Sequence, residues 1–547
     1  MDWNSPRLWW VADSQSSAAH LVESGTTSRS VGWLPYLGTM HFRAASPISG
    51  PSVPAPRKRP PNPRGDQPPM TIYPELKLYV DGAWHTTADD LPIVNPATEE
   101  VIGRVPVACP DTLDEALAAA ARGFETWRRT SPRDRAALIR SAATILCSRQ
   151  DEIAHSITLE HGKPFTEAQA EVVRGAEFFE WDAGEAMRTY GRVIPSGPGV
   201  KHVVTHQPIG PVAAFSPWNF PMSQPARKIA GALASGCSII LKAAEETPAG
   251  AMHIAEAFHD AGLPPGVLNL VFGVPADISQ HLISSDVIRM VAFTGSTAVG
   301  RHLTGLASDH MTPVLMELGG HAPVIVCEDT DVDAAAESSA IRAMRNAGQV
   351  CTSPTRFFVH ETVFDQFLDG ITRRTAATTV GDGMDPGIEM GPVANDRRLA
   401  AVSELVADAC DSGGELTTGG GRIGTTGFFH EPTVLANVPD TARIMQEEPF
   451  GPVAIVNPVD SLDTAIERAN SLPFGLAAYG FTNRADYVDR MVDRVEAGNL
   501  SINTLEASLP ETPFGGMKSS GYGREGGTEG LHHYMVVKSV SHSISIV

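Results

Sequence analysis

Three residues in this chain, read with their neighbours, have the side chains to do covalent chemistry on a carbonyl carbon. Cys351 stands in RNAGQVCTSP, just after a Gly-Gln pair. A thiolate is the reactive form, and a free thiol is mostly protonated at neutral pH, so it needs a nearby base or cationic surroundings. Glu317 lies in LMELGG, among Leu, Met and Gly. Partial desolvation there would raise its pKa toward base duty at neutral pH. Asn219, in SPWNFP, offers two N–H donors on a short stalk, in a loop that Pro217 and Pro221 stiffen and that also presents Trp218 and Phe220. Such a donor suits an oxyanion hole. Each residue also has a plainer reading: free cysteine is among the most buried residue types, loop asparagines commonly satisfy their own turn, and a glutamate is usually on the surface, which the apolar neighbours of Glu317 fit poorly.

A fourth feature suits phosphate. FTGSTAVGR follows the apolar run IRMVA and opens a helix, with Gly295 and Ser296 at its head and Gly300 one turn on. It is neither GxGxxG nor a P-loop. Glycine lets backbone approach a ligand, and a helix N-terminus points free N–H groups and partial positive charge at an anion. An ordinary strand-to-helix turn explains the same residues. Upstream, Lys242 and Glu245 follow an apolar run in SIILKAAEETP.

The elements that must position these residues alternate between two periods. DTLDEALAAAARGFETW places Leu113, Leu117, Ala120, Phe124 and Trp127 on one helical face. TPAGAMHIAEAFHDAGLPPG reads as a helix with Thr247 as N-cap and Pro248 in the first turn, ending at Gly262 before Pro264. VLNLVFG, IRMVAFTG and APVIVC are too short for helices and are bounded by Gly and Pro, as buried parallel strands are. Strand alternating with helix implies a doubly wound α/β architecture. At the C-terminus KSVSHSISIV sets Val540, His542, Ile544 and Ile546 on one side and serines on the other, a half-buried strand at period two. KHVVTHQPIGPV is its candidate partner, and a β arm of this kind either edges its own sheet or pairs with another subunit.

Composition narrows the function classes. A chain of 547 residues is too long for one core, and 42% apolar with 19% charged residues fits a globular protein with ample interior. Net charge of −21 and a pI near 5.3 argue against a surface that tracks nucleic acid or anionic lipid. Six scattered cysteines without a CxxC pair argue against zinc and against a disulfide framework, so no metal is expected and a reducing cytoplasm is the simplest location. No apolar run is long enough to span a membrane. Residues 1–69 differ, with seven Lys/Arg against four Asp/Glu and nine prolines from Pro47 to Pro69. They read as a disordered proline-rich extension, or as an upstream start with Met70 as the natural beginning; a targeting peptide would need an apolar or amphipathic segment that they lack.

Taken together, PWNFP, LKAAEETP, FTGSTAVG, MELGG, NAGQVC, EEPFGP and PFGGMKSSGYGRE resemble, in order and across residues 71–547, the NAD(P)-dependent aldehyde dehydrogenase superfamily. The resemblance implies a Rossmann-type dinucleotide-binding domain over residues 70–317 with a β arm near 195–211, and an α/β catalytic domain over 318–510. A C-terminal return and oligomerisation strand over 511–547 would build a homodimer or homotetramer. It implies Cys351 as nucleophile, Asn219 and the Cys351 backbone N–H as oxyanion donors, and Glu317 as the group that activates the hydrolytic water. On the cofactor side it implies Lys242 and Glu245 at the adenine ribose and Trp218, Gly295, Ser296 and Gly300 around the dinucleotide. Glu448 would hold the nicotinamide ribose, and Phe450 would pack beside the ring. A carboxylate at Glu245 favours NAD over NADP, because it repels a 2′-phosphate.

Arg227, Arg345 and Ser508 match the positions at which succinate-semialdehyde dehydrogenases hold the distal carboxylate, and LEHGKPFTEAQAEV and EAMRTYGRVIP look like that branch. Guanidinium forks suit a carboxylate; internal ion pairs would explain the same arginines. Ser353 stands where the branch often carries a second cysteine, so disulfide gating is not expected. TSPTRF and LPETPFGG also depart from its pattern, which keeps 2-oxoglutarate semialdehyde and aromatic or aliphatic aldehydes open as substrates. Two other classes stay in view. One is a cysteine hydrolase using His321, the histidine nearest Glu317 in sequence, and the other is a non-catalytic NAD-binding protein.

Overall fold

The computed structural model describes residues 73–543. The extension over residues 1–69, and Ile544 and Ile546 of the C-terminal alternation, lie outside the described residues.

The short apolar runs form strands of two large sheets. In the first the order from one edge is Gly521–Tyr522, Val314–Glu317, Met290–Thr294, Val212–Phe215, Ile239–Lys242, Leu268–Val271, Leu78–Val80 and Ala83–His85. The strands from Val314–Glu317 through Leu268–Val271 run parallel, with antiparallel strands closing both edges. Helices Ser223–Ser235, Ala249–Asp260, Pro275–Ile283 and Thr297–Ser308 carry the chain from one parallel strand to the next. Register pairs Glu317 with Thr294, Phe293 with Phe215, and Phe215 with Lys242. The carboxyl ends of four strands therefore reach one edge, where open α/β sheets bind their ligands.

The second sheet runs Glu415–Thr418, Thr433–Ala436, Val453–Val459, Pro354–His360, Ala322–Val326, Ala477–Phe481 and Asn499–Ile502. All but the first strand are parallel. Both faces are covered. Val324, Val326, Phe357 and Val359 fill one core while Ile325, Cys327 and Phe358 fill the other, the period-two alternation of a strand buried on both sides.

A small third sheet joins Arg192–Ile194, Val200–Pro208 and Met535–Ser543. The two alternating segments pair antiparallel from Met535 opposite Pro208 to Ser543 opposite Val200. The C-terminal strand is not half-buried: apart from Met535 its residues are exposed, because no layer among the described residues covers either face.

One helix boundary differs from its sequence signal. The helix begins at Ala249 with Pro248 as N-cap and no side-chain cap bond. Thr247 instead donates its hydroxyl to the Trp218 carbonyl at 3.0 Å, so a cap residue serves the neighbouring loop.

Candidate active site

The edge of the first sheet that carries Glu317 and Thr294 faces the amino ends of strands in the second. Cys351 lies just before strand Pro354–His360, and Phe450 just before Val453–Val459. Between the two sheets is a cavity of about 350 Å³, lined by Trp218, Asn219, Glu317, Cys351, Glu448 and Phe450 among others. A second cavity, of about 310 Å³, is lined by Arg227, Arg345, Ser508, Phe178 and Phe514, and shares Cys351 with the first. One sulfur thus looks into two spaces.

The backbone before Cys351 is wound the wrong way for L-residues. Asn346 (φ 54°, ψ 30°), Ala347 (φ 52°, ψ 37°) and Gly348 (φ 67°) are consecutively left-handed. Such conformations persist only where the surroundings over-determine them. Here one bond lies within the turn and one ties it to a distant segment: Gln349 Nε2 donates to the Asn346 carbonyl at 3.1 Å, and Gln349 Oε1 accepts from Ala394 N at 2.8 Å. A Cβ on Gly348 would strike the Gly451 carbonyl, so only glycine fits. Beyond the sulfur, Tyr479 donates to the Thr352 carbonyl at 2.7 Å. Phe450 is also left-handed (φ 43°) and meets Trp218 edge-on, with centroids 5.5 Å apart.

Charge around the sulfur opposes ionisation. Burial, then the carboxylates of Glu448 and Glu317, push the Cys351 thiol up to about 12, and Arg227 only partly offsets them. The cationic surroundings expected of a standing thiolate are therefore not those of this cavity. Glu317 is 2% exposed, and neither carboxylate oxygen has a hydrogen-bond partner among the described residues. Burial first, then Glu525, raises its pKa well above the ordinary value, while Lys228, Arg227 and Arg524 pull the other way. Lys228 and Glu525 themselves form a buried ion pair at 2.8 Å. Glu448 is raised to about 8 by burial, against the Gly320 N–H (3.3 Å) and Arg398.

Asn219 is 3% exposed and donates Nδ2 to the Gln349 carbonyl at 3.0 Å. Its own carbonyl accepts from Lys163 Nζ at 3.0 Å and from Asn346 Nδ2 at 3.1 Å, so the loop and the Cys351 segment are tied to each other. Lys163 also pairs with Glu171 at 2.6 Å in full burial. Glu171 in turn accepts from Met222 N and Ser223 N at the start of helix Ser223–Ser235. Glu171 reaches that point because helix Phe165–Ala186 buries Ala168, Glu171, Val172, Gly175 and Phe178 on one face.

In the second cavity the Arg227 guanidinium lies 4.0 Å from the Phe178 ring centre and 4.8 Å from that of Phe514, and it donates Nη2 to Ser508 Oγ. Its Nη1 has no partner among the described residues. Arg345 stacks 5.6 Å above Phe220. Neither arginine has a carboxylate within 4.0 Å among the described residues; at longer range Glu167 offsets Arg345, and Glu525, Glu317 and Asp182 offset Arg227.

On the other side, Gly295 and Ser296 line the larger cavity at the head of helix Thr297–Ser308, where Ser296 caps Val299 N. Thr294 Oγ1, Asn219 Oδ1 and Arg398 Nε are buried and lack protein partners among the described residues. A helix N-terminus with orphaned polar atoms fits a dinucleotide. Three sequence candidates stand apart from this space. Gly300 packs under the Leu318 side chain, where a Cβ would not fit. Lys242 and Glu245 form an ion pair with each other at the carboxyl end of strand Ile239–Lys242, beside the cavity and not on its wall. Sequence reasoning missed Lys163, Glu171, Lys228, Glu525 and Arg398. Lys163 and Glu171 lie inside the quoted LEHGKPFTEAQAEV and Glu525 ends the quoted PFGGMKSSGYGRE, but nothing in either stretch singled them out.

His321 is elsewhere. Its ring nitrogens meet Thr355 Oγ1 at 2.7 Å and the Ile444 carbonyl at 2.8 Å, and burial holds its pKa down to about 3. Among the described residues no histidine lines either cavity, so His321 does not pair with Cys351 as a Cys–His hydrolase would require. Among the described residues there is no cluster of three or more His, Cys, Asp or Glu suited to a metal ion.

Comparison with known proteins agrees in kind with this geometry. The pattern of the "Aldehyde dehydrogenase family" matches residues 84–540. A putative 4-(hydroxymethyl)benzenesulfonate dehydrogenase of Comamonas testosteroni is 45% identical over 85% of this chain and 98% of its own length. Succinate-semialdehyde dehydrogenase [NADP(+)] of Escherichia coli K12 is 38% identical over 84% of this chain and 96% of its own. The NAD+ complex of an aldehyde dehydrogenase from Bacillus cereus superposes with TM-score 0.85 at 33% identity, covering 88% of this chain and 99% of that one.

Proposed function

Because the chain belongs to the aldehyde dehydrogenase family, we propose that Cys351 is its nucleophile, Glu317 its hydrolytic base, and an aldehyde with an anionic far end its substrate. The protein is an oxidoreductase that uses a nicotinamide dinucleotide to oxidise a small aldehyde. The observation that carries the finer reading is the position of Cys351 between two cavities, with Glu317 and Asn219 on one side and Arg227, Arg345 and Ser508 on the other.

The aldehyde enters from the arginine side. Cys351 Sγ bonds to the carbonyl carbon as its thiol proton passes to solvent water, and the carbonyl π pair moves onto oxygen to give a thiohemiacetal anion. The developing oxyanion takes the Asn219 N–H not engaged with Gln349 and the backbone N–H of Cys351. A bound nicotinamide supplies the two-electron acceptor for the oxidation of this adduct to a thioester. Glu317 then takes a proton from the water that attacks the acyl carbon; the C–S bond breaks and a carboxylic acid leaves. A desolvated carboxylate with a raised pKa suits that step, and its two unpartnered oxygens leave room for a water.

Ser296 and the helix head would hold the dinucleotide pyrophosphate, and Glu448 and Phe450 its nicotinamide end. Lys242 and Glu245 would meet the adenine ribose, where the Glu245 carboxylate favours NAD. The exposed arm built from Val200–Pro208 and Met535–Ser543, with Val193, Val537 and Val540 on its surface, supports a homodimer or homotetramer. All six cysteines are free, which suits a reducing cytoplasm, and no described helix is long and apolar enough to cross a membrane.

Succinate semialdehyde is the short member of the proposed class. An aromatic aldehyde is the second reading, favoured by Phe178, Phe220 and Phe514 on the cavity wall. Steady-state rates with succinate semialdehyde, glutarate semialdehyde, benzaldehyde and acetaldehyde, each with NAD and NADP, test both. If the acidic aldehydes have no advantage over acetaldehyde in kcat/KM, the roles given to Arg227 and Arg345 are wrong.

A further inference from the structure

The cavity beside Cys351 holds more positive charge than one carboxylate needs. Arg227 and Ser508 line its inner part. Arg342 and Arg345 stand where it meets an outer cavity of about 570 Å³, whose wall they also form. Arg342 belongs to the last turn of helix Val332–Met344, and Arg345 follows its end. No carboxylate comes within 4.0 Å of Arg227, Arg342 or Arg345 among the described residues. Glu167, half-buried on the wall of the outer cavity, offsets Arg345 in part, and the two glutamates on the inner wall do not cancel the rest. Glu171 is taken by Lys163 and two backbone N–H groups, and Glu506 is exposed at the rim. Arg174, the fourth guanidinium, is engaged with Glu177 at 3.1 Å. Burial and then the like charge of Arg342 weigh against the charged form of Arg345, and Glu167, Glu506 and Glu171 partly offset them.

Buried Arg227 and half-buried Arg342 and Arg345, none with a carboxylate within 4.0 Å among the described residues, make this space favourable for an anion. A carboxylate has two oxygens in one plane, which the Arg227 fork and the Ser508 hydroxyl suffice to bind. A sulfonate has three oxygens splayed about the C–S axis, each with less charge, and takes donors from several directions. The rings of Phe178, Phe220 and Phe514 give the same wall a face for an aromatic body.

We infer that Arg342 is a specificity-determining residue and that the far end of the substrate is a sulfonate on an aromatic aldehyde, an inference that rests on the anionic-aldehyde reading above. Arg342 supplies the outer donors, Arg345 the side and Arg227 the inner ones.

Three aldehydes of one shape separate the possibilities: 4-formylbenzenesulfonate, 4-formylbenzoate and benzaldehyde. The sulfonate is expected to exceed the carboxylate in kcat/KM by about tenfold, the worth of one added charge-assisted hydrogen bond, and both to exceed benzaldehyde. In Arg342→Gln the sulfonate-to-benzaldehyde ratio is expected to fall about tenfold, through KM, and Arg342→Lys to recover part of it. Parity of sulfonate and carboxylate, or an unchanged ratio in Arg342→Gln, overturns the inference and leaves the anionic-aldehyde reading standing. Benzaldehyde matching both anions overturns that reading as well.

Discussion

Replacing Lys163 with methionine removes a charge and keeps the length of the side chain. Lys163 and Glu171 are each 1% exposed and 2.6 Å apart, so the substitution strands a buried carboxylate. Breaking one side of such a pair costs about 3–5 kcal/mol. The N–H groups of Met222 and Ser223 still reach Glu171, which places the expected cost near the lower end. At an unfolding entropy of about 1 kcal/mol/K for a chain of this size, Tm should drop by about 3 °C. A second loss is independent of the first: the Asn219 carbonyl loses its Lys163 donor, and the loop loosens. Displacing one oxyanion donor costs about a hundredfold in kcat. The double variant Lys163→Met/Glu171→Gln separates the two effects, because glutamine still accepts from the helix N–H groups and carries no charge. Thermal melting should show most of the stability restored, and NADH formation should show kcat still low. A double variant no more stable than the single one refutes the buried-pair explanation. Recovery of wild-type kcat refutes the tether to Asn219.

Three further outcomes follow from the same geometry. With its thiol pushed up to about 12, Cys351 of the cofactor-free enzyme should be alkylated by iodoacetamide at a rate that climbs roughly tenfold per pH unit from pH 7 to 10; a plateau below pH 9 would mean that the thiolate is already stabilised. Gly348→Ala, which needs φ 67° and drives a methyl group into the Gly451 carbonyl, should lower kcat about a hundredfold while NAD binding, followed by fluorescence quenching, changes little. Glu245→Ser should improve NADP relative to NAD by about tenfold in kcat/KM, since the charge facing the 2′-phosphate is gone.

The sequence disclosed residue types better than their tethers. Cys351, Glu317 and Asn219 could be picked out because Gly and Pro mark the short turns that hold them, Glu448 and Phe450 only through the resemblance that EEPFGP helps carry, and the alternating elements around them make the α/β sheets legible. Lys228 and Glu525 are 297 positions apart, and Lys163 reaches Asn219 across 56, so no local spacing announces either contact. Thr247 misled as a helix cap because the same hydroxyl also suited the Trp218 carbonyl. The C-terminal alternation was a true strand signal, but period two cannot say whether a second layer covers the face. The setting of the Cys351 thiol was equally hidden. A nucleophile implies a base or a cation nearby; the base, Glu317, was legible, but the dominance of burial and two carboxylates over Arg227 was not.

The most direct test of covalent catalysis at Cys351 is mass spectrometry of Glu317→Gln quenched during turnover with NAD and an acidic aldehyde. Without its base the acyl group should remain on the enzyme, so the peptide containing Cys351 is expected to carry the mass of the substrate acyl group, and Cys351→Ala to carry none and make no NADH. An unmodified Cys351 in the stalled variant, or steady NADH formation by Cys351→Ala, would contradict it.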